Sequence, residues 1–119
     1  MNDPAPHCYE LSIIVPVLNE VDQLPRFLTR LRRQQGVACE ILFCDGGSTD
    51  GTREWLARQP DITLLEGPSG RGRQLNQGIA AAAGEWLLLL HCDCFFRDDW
   101  ALRRGIDWLS RAGGHRTAG

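Results

Sequence analysis

The chain has 119 residues, which is enough for one compact domain and leaves little room for a second. Hydrophobic residues make up 43% and charged residues 24%, and the formal net charge of -2 argues against a nucleic-acid-binding surface. All thirteen basic residues are arginine, so chemistry that needs a lysine amine, such as Schiff-base formation or a phosphate-loop lysine, is excluded for this chain.

Four short apolar segments have the composition of strands buried on both faces. These predicted strands cover residues 11–15, 40–44, 62–66 and 86–91. A helical pattern follows each of them, so the element order is βαβαβαβα. That order predicts right-handed crossovers and a mainly parallel, Rossmann-like α/β sheet with helices on both faces.

The helices are predicted from apolar residues at helical spacing. A second, shorter helix over 53–58 would be capped by Ser48 or Thr49, and a last helix covers 99–110. The stripes of the first and third helices are Leu24, Phe27, Leu28 and Leu31, and Leu75, Gly78, Ile79 and Ala82.

We divide the chain into an N-terminal tail (1–10), a domain (11–110) and a flexible tail or truncation stump (111–119). The first segment lacks the apolar core of a signal peptide, and no apolar run is long enough for a membrane span. We therefore expect a cytoplasmic protein with no membrane span and reduced cysteines.

Polar and glycine-rich segments follow every predicted strand. In chain order they are "PVLNE", "DGGSTDG", "GPSGRGRQ" and "HCDC". Because ligands of open α/β sheets bind beyond the carboxyl ends of the strands, these segments predict a ligand site there.

Several residues of these segments are candidates for binding. Arg71 and Arg73, at the start of a helix, suit a phosphate or nucleotide, although the loop lacks the lysine of a Walker A motif. Asp45 ends a strand and is placed to accept hydrogen bonds from a base or sugar. Asp93 is a hard oxygen ligand suited to Mg²⁺ or Mn²⁺ on a diphosphate.

A zinc site built from the neighbouring cysteines is the competing interpretation of "HCDC". On a continued strand His91 and Asp93 would share one side, while Cys92 and Cys94 would face the other. That alternation, and the absence of a Cys-x-x-Cys pair, disfavour zinc.

Together, the segments "SIIVPVLNE", "FCDGGSTDGT" and "GRGRQLNQGIAAAAGEWLLLLHCD" resemble family 2 glycosyltransferases of the GT-A fold over about residues 11 to 100. More narrowly, "DGGSTDGT", "GRGRQLN" and a strand ending in H-x-D resemble the bacterial radical-SAM/selenodomain-associated transferases, some of which are linked to arsenosugar biosynthesis.

The resemblance implies an enzyme that uses a nucleotide-diphospho-sugar, most often a UDP-sugar, and a divalent metal, Mn²⁺ or Mg²⁺. By motif, it implies that Pro16 and Glu20 line the nucleotide pocket, Asp45 meets the base and Arg71 lies near base or phosphate. It makes Asp93 the acid on the metal side of a D-x-D element.

Two positions depart from the family pattern. His91 replaces the first acid of the D-x-D element, which makes metal dependence less certain. Gly46 stands where many relatives have a second aspartate, which removes one possible contact.

The general base and acceptor pocket of inverting members lie in a C-terminal half, so we expect this chain to lack them. The acceptor and the catalytic base are unknown. The alternatives are a non-catalytic nucleotide-binding or assembly module and a receiver-like signalling domain. The missing lysine and the missing acidic pair after the first strand count against the receiver.

The GT-A topology also implies the strand order 3-2-1-4. The apolar fourth strand would then be an edge of this chain's sheet, and an exposed apolar edge recruits other chains. We therefore expect self-association through the fourth strand.

Overall fold

The computed structural model describes residues 9–112, so the predicted N-terminal tail before Tyr9, Cys8 and most of the C-terminal tail lie outside the described residues. The first half contains β1 (Leu11–Val17), α1 (Leu24–Arg32), β2 (Cys39–Asp45) and α2 (Thr52–Ala57). The second half contains β3 (Thr63–Glu66), α3 (Arg71–Ala81), β4 (Trp86–Leu89) and α4 (Ala101–Arg111).

The sheet has the strand order β3-β2-β1-β4, and all three pairings are parallel. The predicted fold class and strand order are therefore confirmed. β4 is an outer strand of the described sheet, and Leu89 is 46% exposed. Self-association through this edge stays a prediction.

Helices cover both faces of the sheet, as the sequence predicts. The larger hydrophobic cluster joins one face to side chains of α1, α2 and α4, including Phe27, Leu56 and Ile106. The smaller cluster is centred on Ile14, Leu42 and Cys44 and takes half-buried side chains from α3. The predicted stripe of α1 is buried in full, with Pro25 in the first turn.

The prediction for α3 is wrong at one position. Its buried residues are Gln74 and Gly78, whereas Ile79 is 44% exposed. The helix lies so close to the sheet at Gly78 that a Cβ there would be 2.5 Å from Ile14 Cγ2. The close approach turns the buried face away from Ile79.

The capping prediction for α2 is also wrong. The helix follows Gly51, whose φ of 99° is in the left-handed region, and neither Ser48 nor Thr49 caps it. Instead the Asp50 carboxylate accepts a hydrogen bond of 3.0 Å from the Thr52 backbone N–H. The hydroxyl of Ser48 is bonded to Asp45 in the preceding loop.

β4 is shorter than predicted, and this shapes the end of the sheet. Its last pair with β1 is Ile14↔Leu89, so β1 runs three residues further, through Val17, than its neighbour. The Ile14 carbonyl accepts a hydrogen bond from the Leu90 N–H, so the backbone groups of Ile14 face β4. Because alternate residues of a strand direct their backbone groups to the same neighbour, those of Pro16 face β4 as well. Proline therefore loses no ladder bond there, and a notch opens beside it.

None of the helices within residues 9–112 has the length and apolar character needed to cross a bilayer.

Candidate functional site

A cleft of about 380 Å³ lies in the notch beyond β4, where the strand order reverses direction around β1. Reversal points of this kind are where open α/β sheets bind ligands. Its walls include Pro16, Glu20, Arg71, Gln74 and His91. A second opening, contiguous with the first, is lined by Glu20, Arg71, His91 and Asp93. We call the two together the switch-point cleft.

The structure thus brings five of the seven predicted site residues to one place: Pro16, Glu20, Arg71, His91 and Asp93. They come from the end of β1, the first turn of α3 and the segment after β4. Arg73 and Asp45 do not line this cleft. Arg73 is exposed on α3, two residues beyond Arg71.

The loop after β1 is held in place by side chains of the loop after β2. The Asn19 N–H donates to Ser48 Oγ at 2.8 Å, and Asn19 Oδ1 accepts from the Thr49 N–H at 2.8 Å. The Glu20 N–H donates to Thr52 Oγ1 at 3.0 Å. Asn19 has a φ of 55°, a left-handed conformation that asparagine tolerates better than most residues. These bonds fix the backbone from which Glu20 projects into the cleft.

Asp45 is fully buried and holds its own loop together. Its carboxylate accepts hydrogen bonds from the Gly47 N–H at 2.9 Å, the Ser48 N–H at 3.0 Å and the Ser48 hydroxyl. Arg53 Nε lies 3.9 Å from the same carboxylate. Because Asp45 is fully buried, contact between its carboxylate and a base would require this loop to move.

Gln74, to which the sequence analysis assigns no role, ties α3 to the sheet. Its buried Nε2 donates to the carbonyls of Val17 at 3.0 Å and Cys44 at 2.8 Å, the ends of β1 and β2. A Cβ on Gly46 would lie 3.0 Å from the Gln74 amide. A glycine at 46 thus leaves room for the Gln74 amide, which the sequence pattern alone does not reveal.

α3 begins at Arg71, directly after Gly70, whose φ of 128° favours glycine. No side chain caps this end of the helix. The backbone N–H groups of the first turn and the Arg71 guanidinium therefore present positive charge at the cleft.

The segment after β4 is a turn and not a continued strand, because the Cys94 N–H donates to the His91 carbonyl at 3.0 Å. The strand alternation predicted for residues 91 to 94 is therefore wrong. The side chains of this turn still differ in burial, since His91 and Asp93 are exposed while Cys92 is buried.

Acidic groups gather at the mouth of the cleft. The pKa of the Glu20 carboxyl is raised, chiefly by burial and next by the negative charge of Asp93, while His91 lowers it. Burial and the nearby charges of Glu20 and Asp93 raise the pKa of the Cys92 thiol to about 12. Cys92 is therefore a protonated, apolar part of the wall and a poor nucleophile.

Within residues 9–112, no group of three or more His, Cys, Asp or Glu side chains is arranged to hold a metal ion unaided. The carboxylate of Asp93 and the imidazole of His91 nevertheless fit Mn²⁺ or Mg²⁺ chemically when a ligand supplies further oxygens. Both side chains are exposed at the cleft and make no hydrogen bond or ion pair with another described residue.

Comparison with known proteins agrees with this geometry. Residues 12–114 match the family model "Glycosyl transferase family 2". Among curated proteins, the chain is 33% identical over 118 residues to "Succinoglycan biosynthesis protein ExoO" of Rhizobium meliloti, covering 95% of this chain and 34% of the relative. It is 32% identical over 112 residues to "Glycosyltransferase AglE" of Haloferax volcanii, covering 87% of this chain and 36% of the relative.

Solved structures share the fold. "Mannosyltransferase PcManGT from Pyrobaculum calidifontis in complex with GDP-Man and Mn2+" superposes with a TM-score of 0.75 at 27% identity, covering 87% of this chain and 33% of that one. S. aureus TarS in complex with UDP gives a TM-score of 0.75 at 20% identity, covering 86% of this chain and 32% of that one, a likeness of fold alone.

The chain spans about a third of the length of these curated relatives. Its parallel sheet of order 3-2-1-4 with alternating helices is the Rossmann-like arrangement of the GT-A fold. With the family model matched from the second residue of β1 to beyond the end of α4, this chain belongs to glycosyl transferase family 2.

Proposed function

We propose that residues 11–110 form the domain of a glycosyltransferase that binds a nucleotide-diphospho-sugar donor, with a divalent cation, for transfer to an acceptor. The observation that carries the proposal is the switch-point cleft. There the side chains of Arg71, His91 and Asp93 meet without a hydrogen bond or ion pair to any described residue. Exposed and unpartnered groups of both charges at one site suit a ligand that brings phosphates and a cation together.

The diphosphate is assigned to Arg71 and the start of α3. A guanidinium can bond two phosphate oxygens at once, and the uncapped N–H groups of a helix start favour the same negative charge. Arg73, which the sequence places beside Arg71, lies outside the cleft lining. We expect it to contribute less.

The cation is assigned to Asp93 and His91, with the donor's phosphate oxygens completing its ligands. Such a cation neutralises charge that develops on a diphosphate leaving group. The protein's own contribution is to hold a carboxylate and an imidazole on a turn that Cys92 anchors in the hydrophobic cluster.

The nucleoside is assigned to the part of the cleft beside Pro16 and Glu20, with UDP as the expected carrier. Asp45 stays a proposed base contact, and because it is fully buried its loop must move for that contact to form. The PcManGT structure is a complex with GDP-Man, and TarS structures are complexes with UDP and UDP-GlcNAc, which supports the class of donor and leaves the base to be measured.

Membership of the radical-SAM-associated subgroup is a finer proposal. It is supported by "GRGRQLN" at the start of α3 and by His91 in the H-x-D turn. The general base is not assigned to any residue of this chain.

Calorimetric titration of UDP and GDP, each with and without Mn²⁺, tests the proposal. We expect Mn²⁺ to tighten binding of the preferred nucleotide by about tenfold, or ~1.4 kcal/mol, and the enhancement to vanish in Asp93→Ala. Asp99→Ala, an exposed acid outside the cleft, is the control and should keep it. If neither nucleotide binds, or if Asp93→Ala keeps the enhancement, the proposal is wrong.

The variant Arg71→Ala shows whether Arg71 contacts the phosphates or the base of the nucleotide. Loss of charge-assisted hydrogen bonds should weaken the binding free energy of UDP by about 1.5 to 3 kcal/mol, while uridine should bind the variant as it binds the parent. An equal loss for uridine would place Arg71 on the base.

A further inference from the structure

A separate cleft of about 210 Å³ lies on the other side of the turn that carries Asp93. It is formed between α1 and the segment after β4. Its lining residues are Asp22, Gln23, Arg26, Arg30, Cys92, Asp93 and Phe95. We call it the α1 cleft. Of these residues, the donor assignment above uses Asp93 as a cation ligand and Cys92 as the anchor of its turn.

The lining of the α1 cleft includes an aromatic ring, that of Phe95. The Arg30 guanidinium lies 4.0 Å from the ring centroid of Phe95 and covers one face. Phe95 nevertheless remains 73% exposed, so its other face is open. The guanidinium also donates a long hydrogen bond, 3.4 Å, to the Cys94 carbonyl, which helps hold the ring beside α1.

Polar groups of both charges surround this ring. The side chains of Asp22, Gln23 and Arg26 make no hydrogen bond or ion pair within residues 9–112. Carboxylates only accept hydrogen bonds, guanidinium groups only donate, and an amide does both. Asp22 and Asp93 repel a free anion, while Arg26 and Arg30 repel a free cation.

A neutral ring with many hydroxyl groups satisfies this lining best. Each hydroxyl both donates and accepts, and the apolar face of a pyranose ring can stack on Phe95. A mostly preformed cleft with an apolar surface and a few convergent polar groups is the usual form of a small-molecule site.

The position of the α1 cleft gives its occupant a role. Gln23, Cys92 and Asp93 line both this cleft and the switch-point cleft, so the two share the wall formed by the turn after β4. A ligand in the α1 cleft would lie across Asp93 from a donor diphosphate. We propose that the α1 cleft binds a saccharide ring of the acceptor, an inference that rests on the proposed donor site.

The experiment titrates the ¹⁵N-labelled chain with methyl glycopyranosides of glucose, galactose and mannose, and with glycerol and inorganic phosphate as comparison probes. Chemical shifts of residues 92 to 96 report the α1 cleft. The same samples are titrated with UDP and GDP in the presence of Mn²⁺, which reports the donor site independently. The variants are Phe95→Ala and, as matched control, Trp108→Ala, an exposed aromatic residue on α4.

We expect at least one glycoside to shift residues 92 to 96 in a saturable way. Phe95→Ala should bind it about fivefold more weakly or worse, because an aromatic stacking surface is lost. Its affinity for the nucleotide should stay within twofold of the parent, and Trp108→Ala should match the parent in both titrations.

Three outcomes overturn the inference: no glycoside shifts these residues, Phe95→Ala binds the glycoside as the parent does, or glycerol or phosphate gives the same shifts. Nucleotide binding without glycoside binding rejects the α1 cleft and keeps the donor site. Glycoside binding without nucleotide binding rejects the donor site and, with it, the acceptor role.

Discussion

The two walls of the switch-point cleft differ in how their polar groups are used. The bonded wall consists of residues 18–21, of which Leu18 and Glu20 line the cleft, and of residues 45–52, which support them through hydrogen bonds and do not line it. Side chains and backbone groups of the two segments bond to each other. The open wall consists of residues 67–71 and 90–94. There the side chains of Ser69, Arg71, His91 and Asp93 make no hydrogen bond or ion pair with a described residue. The bonded wall sets the backbone geometry, and the open wall holds the groups left for a ligand.

The sharpest test of this difference compares two aspartates. Asp45→Ala leaves the N–H groups of Gly47 and Ser48 without their acceptor, and we expect a loss of about 3 kcal/mol in the free energy of unfolding. Asp93→Ala removes an exposed side chain and should change stability by no more than ~0.5 kcal/mol. Denaturant titration of both variants is the measurement. Similar losses for the two would erase the distinction between the walls.

Gln74 joins the two walls, so its removal should lower both the stability of the fold and the affinity for the nucleotide. Gln74→Ala removes a buried donor from the carbonyls of Val17 and Cys44, of which Val17 keeps its bond from the Gly46 N–H, and we expect about 2 kcal/mol of destabilisation. Because Gln74 positions the start of α3, nucleotide affinity should fall as well. Gln77→Ala is the control, since Gln77 bonds only an exposed carbonyl at the end of β3. An effect of Gln77→Ala as large as that of Gln74→Ala would contradict this assignment.

A smaller effect is expected from one hydroxyl of the bonded wall. Thr52→Val keeps the shape but removes the acceptor of the Glu20 N–H, at a cost of about 1 kcal/mol. Thr49→Val removes a hydroxyl that makes no hydrogen bond with a described residue, and its stability should stay near the parent. The measurement is the thermal unfolding of both variants, and equal shifts of their Tm would reject a specific role for Thr52.

The smallest expected effect depends on pH and concerns Glu20, whose side chain lines the cleft from the bonded wall. Burial and the negative charge of Asp93 raise the pKa of its carboxyl above the ordinary value of 4.5, so the folded state binds this proton more tightly than the unfolded state. Stability from this group is present below pH 4.5 and is lost as the pH rises through the folded-state pKa. Glu20→Gln should therefore gain stability relative to the parent between pH 4 and pH 7. Denaturant titrations at both values that show a constant difference would contradict this.

The open wall was also the easier part to predict. Arg71, His91 and Asp93 project from segments that directly follow strands or begin a helix, and their exposure in a cleft follows from the parallel sheet. Asp45 has the same position after a strand, yet its carboxylate is used internally. A local pattern marks the strand end but does not show whether the nearest donor belongs to the protein or to a ligand.

The sequence by itself determined the α/β order, the buried stripe of α1 and the edge of the sheet at which polar segments gather. These follow from hydrophobic spacing and from the rule that parallel strands end at the same edge. Only the tertiary structure decided where β4 ends, because strand length depends on the register with β1. It alone decided that Gln74 is buried against two strand ends, and that Arg30 packs on Phe95, 65 positions further along the chain. Each of these is a contact between residues far apart in sequence, and such contacts are set by the packing of whole elements, which local spacing does not encode.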